Sequence, residues 1–495
     1  MTQDTLHTAD SDDNISTGTV FTVQLKGAAS DQRKFLQSVQ TALGDAASLG
    51  CLLPGPGANV FVIAGTTEQM LRSRLALPDD LALEAQFRAW GALNVNKLDV
   101  QAWFALLNRG TAVLPDGSVG RPKISKVAAP TKSKVASGSP LPKGFRGPYD
   151  WNLTVRGANV VAAWEMFAQS PAHSGKLPWK DILVGQIDTG YTEHAALGWL
   201  AGKSDTVDVA RGYDYWDGTH DPDPRDDWLQ GDPGHGTRIS AAFAGYLTIS
   251  TGNPFYGVAP GVRVVPYRVT DRVAVDPVLL SVAAAIREAV DDRCHIINIS
   301  LGALRNIFEV SDALDYAYER GVITCCAAGQ IWPKVIYPGR YNRCITMGGV
   351  GPDFKPWASA ARGKYVDLCG PADVIRRVKA EKRAPGDAAQ GILPKPDGDG
   401  TSYATATCSG VAALWLAWHG VDALRARYGT SGLWQIPAAF KQLARRTASP
   451  GAWPAGSNKY GSGVINAGQL LGGTLPADGA VTKAKPAGGG FDPND

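Results

Sequence analysis

The chain has 495 residues, of which 44% are hydrophobic and 19% are charged, and its formal net charge at pH 7 is +3. A chain of this length and composition can bury a substantial core, which predicts two domains and is compatible with a large soluble enzyme. The small net charge gives no argument for nucleic-acid or membrane partners. Apolar runs of roughly 18 residues, which a transmembrane helix requires, do not occur.

The amino terminus and the cysteines indicate where the protein works. Residues 1–19 are polar, hold four aspartates and lack the basic segment and apolar core of a secretory signal, so we expect a disordered start. The chain has seven cysteines, an odd number, and no Cys-x-x-Cys pair. Reduced, buried thiols are therefore favoured over a disulfide framework or a zinc site. These features predict a cytoplasmic protein, with export by a non-classical route left open.

Residues 20–113 are predicted to form a small N-terminal domain. The pattern predicts strands at 20–25 and 58–65, helices at 31–43 and 66–75, and an amphipathic stretch at 81–107. Strands that alternate with short helices indicate a compact α+β domain.

Residues 114–147 are predicted to be a flexible basic linker. The stretch 117–147 holds seven lysines and arginines and no acid, and it is rich in proline, serine and small residues. Such a composition is poor in side chains that form a core, and charge runs of this kind are usually solvated.

An apolar run at 182–187 ends at Asp188, which Thr189 and Gly190 follow. This pattern is typical of a buried parallel strand, and ligands bind at the carboxyl ends of such strands. Asp188 is therefore a candidate functional residue.

An acidic loop follows, and we favour a solvated surface segment as its interpretation. Its acids are Asp214, Asp217, Asp221, Asp223, Asp226, Asp227 and Asp232. A calcium site and an edge that binds basic substrate residues are the alternatives. The loop shows no fixed calcium motif, so no metal ligands are predicted.

His235 lies between Gly234 and Gly236, and Ser402 follows the turn 398–400; each residue opens a stretch of small and apolar residues. Both stretches predict helices, and a serine at a helix start has its backbone N–H aimed at bound substrate. Together with Asp188 these residues are the parts of an activated serine nucleophile. The acid orients the histidine, the histidine takes the serine proton, and the serine attacks a carbonyl.

The order Asp188, His235, Ser402 resembles that of the subtilisin-like serine proteases, the subtilases or peptidase family S8. Four further segments in 148–472 resemble landmarks of that family, namely 256–260, 296–302, 337–339 and 460–467. For 148–472 the resemblance implies a three-layer α/β sandwich with a mostly parallel central sheet. It also implies a serine endopeptidase that acts on peptide or protein substrates through an acyl-enzyme intermediate. No cofactor is required, and a structural calcium stays open without a motif.

The sequence departs from the family at Gln330, where an asparagine is usual. In the family that amide donates a hydrogen bond to the oxyanion, and glutamine carries the same amide on one more methylene. We favour Gln330 as an oxyanion donor over a merely structural amide, with the backbone N–H of Ser402 as the second donor. In subtilisin, loss of the asparagine donor lowers turnover by about 10²–10³.

The resemblance also implies the two walls of the primary substrate pocket. One wall is Ser300, Leu301 and Gly302, and the other is Ala327, Ala328 and Gly329. Both walls are built of small or apolar residues without an acid. This composition favours a large hydrophobic or aromatic residue before the scissile bond.

Subtilisin-like proteases often carry an N-terminal propeptide of similar α+β pattern that blocks the active site. The resemblance implies that 20–113 is such an intramolecular inhibitor of a zymogen, released by cleavage in the linker, while an unrelated adaptor domain is the alternative. A second function also stays open, namely a weak or inactive homologue that binds peptides or proteins as a scaffold. Residues 473–495 are predicted to be a disordered tail.

Overall fold

The computed structural model describes two compact units, one within residues 19–106 and the other from 151 onward. The described residues are 19–26, 34–35, 38–39, 41–43, 48–53, 58–64, 73, 99–106, 151–173, 177–200, 202–216, 223–226, 231–247, 254–275, 278–304, 307–330, 332–380 and 397–486. The predicted disordered start and the predicted basic linker lie outside them.

The N-terminal unit contains a four-stranded antiparallel sheet in the order β2-β3-β1-β4. Its strands are β1 (Thr19–Lys26), β2 (Ser48–Leu53), β3 (Ala58–Ala64) and β4 (Asp99–Leu106). The strands predicted at 20–25 and 58–65 correspond to β1 and β3, and the described residues between 34 and 43 are helical. Strands β2 and β4 were not predicted. β2 is short and contains a glycine, which weakens the strand signal. β4 lies within the stretch 81–107, whose amphipathic pattern does not assign it to a strand or a helix.

The second unit is built on a seven-stranded parallel sheet in the order β15-β14-β13-β12-β5-β11-β8. Its strands are β5 (Leu183–Asp188), β8 (Tyr213–Asp214), β11 (Arg263–Arg268), β12 (Ile296–Ile299), β13 (Ile323–Ala327), β14 (Ile345–Val350) and β15 (Leu368–Pro371). Two ribbons, β6 (Trp199–Leu200) with β7 (Lys203–Ser204) and β9 (Tyr246–Leu247) with β10 (Phe255–Tyr256), lie outside it. The sheet strands are almost wholly buried, as apolar parallel strands covered on both faces must be.

Helices cover both faces of this sheet. They are α1 (Val160–Gln169), α2 (His235–Ala244), α3 (Leu279–Asp291), α4 (Phe308–Glu319), α5 (Thr401–His419), α6 (Val421–Tyr428), α7 (Gln435–Arg446) and α8 (Ala467–Leu471).

Two contacts assign helices to opposite faces of the sheet. Gly185 of β5 leaves room for Ala289 of α3, whose Cβ would lie 3.0 Å from a Cβ at position 185. Asn298 of β12, in register with the next residue of β5, accepts a hydrogen bond from Ser409 of α5 at 2.8 Å on the other face. Helix α5 is buried on nearly all sides, which its small and apolar composition allows. The predicted three-layer α/β sandwich is confirmed.

The prediction of a disordered tail at 473–495 is wrong for residues 473–486, which pack on helices of the second unit. The carbonyl of Pro476 accepts a hydrogen bond from the buried hydroxyl of Tyr428 at 2.8 Å. Val481 is only 6% exposed. The composition of this segment, rich in glycine, alanine and lysine, gave no indication of these few packing contacts. Residues 487–495 lie outside the described residues.

The six described cysteines are buried and form no disulfide, namely Cys294, Cys325, Cys326, Cys344, Cys369 and Cys408. Within the described segments, no helix is long and apolar enough to cross a membrane.

Candidate active site

Asp188 lies at the carboxyl end of β5, where the strand order reverses between β11 and β12. Such a switch point opens a crevice at the edge of a parallel sheet. The side chain is fully buried and accepts three hydrogen bonds, from His235 Nδ1 at 2.7 Å, Gln186 Nε2 at 2.8 Å and the backbone N–H of Thr189 at 2.8 Å. These donors hold the carboxyl group in one orientation and stabilise its negative charge.

His235 is the first residue of α2, and its ring reaches Asp188 because the helix start packs tightly on the turn after β5. A Cβ on Gly236 would lie 3.2 Å from Asp188 Cβ and would overlap the carbonyl oxygen of Gly190, so this approach requires glycine. The contact between Nδ1 and the Asp188 carboxyl assigns the ring proton to Nδ1. Nε2 is then the nitrogen that can accept a proton from a nucleophile.

Ser402 is the second residue of α5, and its hydroxyl is held by the segment that follows β12. Its Oγ donates to the carbonyl of Ser300 at 3.2 Å, and Ser300 Oγ donates to the carbonyl of Ser402 at 3.3 Å. Beneath this pair, Asn298 Nδ2 donates to Ser300 Oγ at 2.9 Å. The structure therefore directs the Ser402 hydroxyl to Ser300 rather than to His235.

His235, Ser402 and Gln330 line one cavity of about 760 Å³. Five of the six predicted wall residues line it too, namely Ser300, Leu301, Gly302, Ala327 and Gly329. Ala328 is fully buried and lies instead in a separate apolar cluster with Val335 and Val350. Adjacent residues of an extended segment point to opposite sides, which explains why the middle residue of this wall faces the core.

The amide of Gln330 is oriented by the first turn of α5. Its Oε1 accepts a hydrogen bond from the backbone N–H of Thr401 at 3.2 Å. Only the amide oxygen can accept that bond, so the NH₂ group is the part of the side chain left to donate elsewhere. The same contact satisfies one of the free N–H groups at the helix start.

Sequence reasoning missed Asp226 as part of this site. Its Oδ2 accepts from Thr189 Oγ1 at 2.7 Å and from the backbone N–H of Gly234 at 2.9 Å, while Thr189 Oγ1 accepts from the N–H of Gly236 at 3.1 Å. Asp226 is 4% exposed. It therefore ties the turn after Asp188 to the residues on both sides of His235. In the sequence it was one acid among seven, and nothing distinguished it.

The other described acids of the acidic loop also serve as hydrogen-bond acceptors. Asp214 pairs with Arg268 at 3.1 Å, Asp223 accepts from the hydroxyl of Tyr191 at 2.8 Å, and Asp232 accepts from the N–H of Val273 at 2.8 Å. Within the described part of the chain, no group of three His, Cys, Asp or Glu is arranged to hold a metal ion. Asp217, Asp221 and Asp227 lie outside the described residues, so the calcium alternative stays a prediction for them.

Charged residues of both signs border the cavity, although its two walls carry none. The lining includes Asp232, Arg238, Arg377, Asp397 and Asp399. Arg377 pairs with Asp397 at 3.0 Å between Nε and Oδ1. The cavity therefore combines an apolar interior with a polar border, as ligand sites commonly do.

Comparisons with known proteins agree with this geometry. Residues 179–463 match the family model described as "Subtilase family". The chain is 28% identical over 235 residues to the "Thermophilic serine proteinase" of Bacillus sp. (strain AK1), covering 47% of this chain and 51% of that protein. It is 25% identical over 301 residues to "Subtilisin Savinase" of Lederbergia lenta, covering 60% of this chain and 94% of that one. The chain thus spans about half the length of the Bacillus proteinase.

A solved structure extends the likeness at the level of the fold. Fervidolysin from Fervidobacterium pennivorans, described as a keratinolytic enzyme related to subtilisin, has a TM-score of 0.57 and 20% identity. That comparison covers 94% of this chain and 63% of the fervidolysin chain.

Proposed function

The chain belongs to the subtilase family of serine proteases, and we propose that it hydrolyses internal peptide bonds through Asp188, His235 and Ser402. The observation that carries the proposal is the 2.7 Å contact between Asp188 Oδ1 and His235 Nδ1, made by a ring that lines the same cavity as Ser402. A carboxylate on Nδ1 holds the imidazole in the tautomer whose Nε2 can act as a base.

In the proposed acylation step, the Ser402 hydroxyl turns from the Ser300 carbonyl toward His235 Nε2. The imidazole takes the proton as Oγ attacks the peptide carbonyl, and it then gives that proton to the leaving amine. Water repeats the sequence on the acyl-enzyme and releases the second product. A 3.2 Å bond to a neutral carbonyl is weak enough for this rotation, since such bonds contribute only about 1 kcal/mol net.

The proposed oxyanion donors are the Nε2 group of Gln330 and the backbone N–H of Ser402. Their support is the Thr401 contact, which points the amide oxygen of Gln330 at the helix and leaves the NH₂ group as a donor. The start of α5 adds the positive end of the helix dipole near the developing negative charge.

A fluorophosphonate probe tests this proposal, because the probe modifies only an activated serine. Wild-type protein and the Ser402→Ala and His235→Ala variants would each be treated with the probe, and casein digestion would be followed in parallel. We expect labelling and digestion by the wild type alone. A folded wild-type protein that neither labels nor cleaves would support the scaffold alternative instead. Variants shortened to residue 148 onward would separate inhibition by the N-terminal domain from true inactivity.

We further propose that the N-terminal α+β unit is an intramolecular inhibitor that the enzyme removes itself. Its support is that the unit is compact and separate, and that a basic, proline-containing stretch joins it to the catalytic unit. Mass spectrometry of the N-terminus of purified wild-type protein and of Ser402→Ala tests this. A shorter form in the wild type and full-length Ser402→Ala are expected. Equal trimming of both would exclude self-processing.

A further inference from the structure

The side chain of Ile336 lies in the gap between the two walls of the active-site cavity. A Cβ on Gly302 would overlap Ile336 Cδ1 and lie 2.8 Å from Cγ1. A Cβ on Gly329, in the opposite wall, would lie 2.7 Å from Cδ1 and 2.8 Å from Cγ1. Contacts this close mean that Ile336 packs directly on the bare backbone of both glycines, and that it occupies the space their absent side chains leave.

The backbone on either side of this side chain is hydrogen-bonded to one wall and to Ala303, the residue that follows the other wall. The N–H of Ile336 donates to the carbonyl of Ala328 at 3.0 Å. The next residue, Tyr337, exchanges two hydrogen bonds with Ala303, at 2.8 and 2.9 Å. A β-branched side chain has few χ1 options, so Ile336 has little freedom to swing out of the gap.

The same gap is where a substrate side chain has to enter. Ser402 Oγ is bonded to Ser300, at the start of one wall, and Gln330 directly follows Gly329, at the end of the other. A carbonyl attacked by Oγ with its oxygen toward Gln330 therefore lies at the top of the gap. The residue before the scissile bond contributes that carbonyl, and its side chain, carried on the adjacent Cα, projects between the walls.

We propose that Ile336 closes this primary pocket and restricts the residue before the scissile bond to glycine, alanine or serine. This inference rests on the proposed protease function and reverses the expectation of a large hydrophobic residue there. That expectation considered only the walls, which are small and apolar. Ile336, which belongs to neither wall segment, forms the third side of the pocket. A gap that is already filled by a packed side chain does not readily accept a larger substrate side chain.

The residue preference of the wild-type enzyme is the primary test. A series of peptide nitroanilides that differ only in the last residue before the anilide, with Ala, Ser, Leu or Phe, would be hydrolysed by enzyme whose active fraction is titrated with the fluorophosphonate. We expect kcat/KM for Ala to exceed that for Phe by at least about 10-fold, the discrimination that pocket size provides. Cleavage sites in denatured casein should likewise follow Gly, Ala or Ser.

Removing the side chain should reverse the preference. Ile336→Ala and Ile336→Gly should raise the ratio of kcat/KM for Phe over Ala by about 10-fold or more, with the larger change for glycine. Leu200→Ala is the matched control, because Leu200 is an aliphatic residue that is 83% exposed and does not line the cavity. Its ratio should stay at the wild-type value. Ile336→Val, which removes only one methylene, serves if the larger truncations do not fold.

The outcomes separate this inference from the proposed function. Wild-type enzyme that labels and cleaves after Phe or Leu as readily as after Ala would overturn the role of Ile336 and leave the protease function standing. Absence of both labelling and cleavage would overturn the protease function itself. A shift in the Leu200→Ala control equal to that in Ile336→Ala would also overturn the inference, since the effect would then not come from the gap.

Discussion

The carboxyl of Asp188 and the ring of His235 belong to different elements, β5 and α2, yet Oδ1 and Nδ1 are 2.7 Å apart. The contact is buried, with exposures of 0% and 9%, so water does not screen it. It exists because Gly236 admits the helix start against the turn after β5, and because Asp226 bonds to both segments. The geometry around His235, the proposed base, thus depends on three chain segments together.

Asp188→Asn should lower kcat by about 10⁴, with KM little changed, because the amide favours the wrong imidazole tautomer. The measurement is kcat and KM for hydrolysis of the peptide nitroanilide with Ala before the anilide, at equal concentrations of folded enzyme. Asp422→Asn is the control, since the Asp422 side chain is fully exposed and does not line the cavity. A variant that keeps a tenth of the activity would show that Asp188 does not orient the base.

Gln330→Glu should lower kcat by about 10²–10³, equivalent to ~2.7–4 kcal/mol of transition-state stabilisation. Glutamate keeps the oxygen that accepts from Thr401 but has no NH₂ donor, and its charge repels the oxyanion. Gln330→Ala should lose a similar factor. The kcat and KM of both variants would be compared with their urea unfolding. Near-normal turnover in Gln330→Glu would mean that this amide is only structural.

Asp226→Ala should lower the free energy of unfolding by about 1–3 kcal/mol, because the buried Thr189 hydroxyl and the Gly234 N–H lose their acceptor. It should also lower kcat more than it raises KM, since His235 loses its support. Asp226→Asn retains one acceptor oxygen, so its free energy of unfolding and its kcat should both lie between those of Asp226→Ala and the wild type. If Asp226→Ala had the same kcat as the wild type, Asp226 would stabilise the fold without positioning His235.

His295, just before β12, should make the fold less stable in mild acid. Its Nδ1 accepts from the N–H of Leu183 at 3.1 Å, and burial, with the nearby charge of Arg425, lowers its pKa from 6.5 to about 4. As the pH falls through this window, the unfolded chain binds a proton that the folded chain does not. The free energy of unfolding therefore drops, by on the order of 3 kcal/mol between pH 6.5 and 4.

The variant His295→Asn tests this titration, because asparagine keeps an acceptor and does not ionise. Its free energy of unfolding, measured in urea from pH 4 to 7, should vary less steeply than that of the wild type. Equal slopes in both proteins would mean that other groups cause the acid sensitivity.

Much of the catalytic domain followed from local patterns. The apolar run ending at Asp188, the glycines around His235 and the small-residue helix after Ser402 each depend on a few consecutive residues. Their order sufficed to predict the family and the parallel sheet. In the N-terminal domain, β1 and β3 were predicted. Strands β2 and β4 were not, because the hydrophobic alternation of β2 is weak and that of β4 does not distinguish a strand from a helix. The packed segment 473–486 was missed because its anchors lie on α6 and α7.

By itself, then, the sequence determined the type of fold and the three candidate catalytic side chains, since both are encoded in short motifs and in the hydrophobic period of each element. Only the tertiary structure decided which acid supports the site, which way the Gln330 amide points and which side chain fills the gap between the two wall segments. Asp226, Thr401 and Ile336 acquire these roles through contacts with segments remote in the chain. Local patterns cannot encode such contacts, because they arise only when the sheet brings the ends of its strands together.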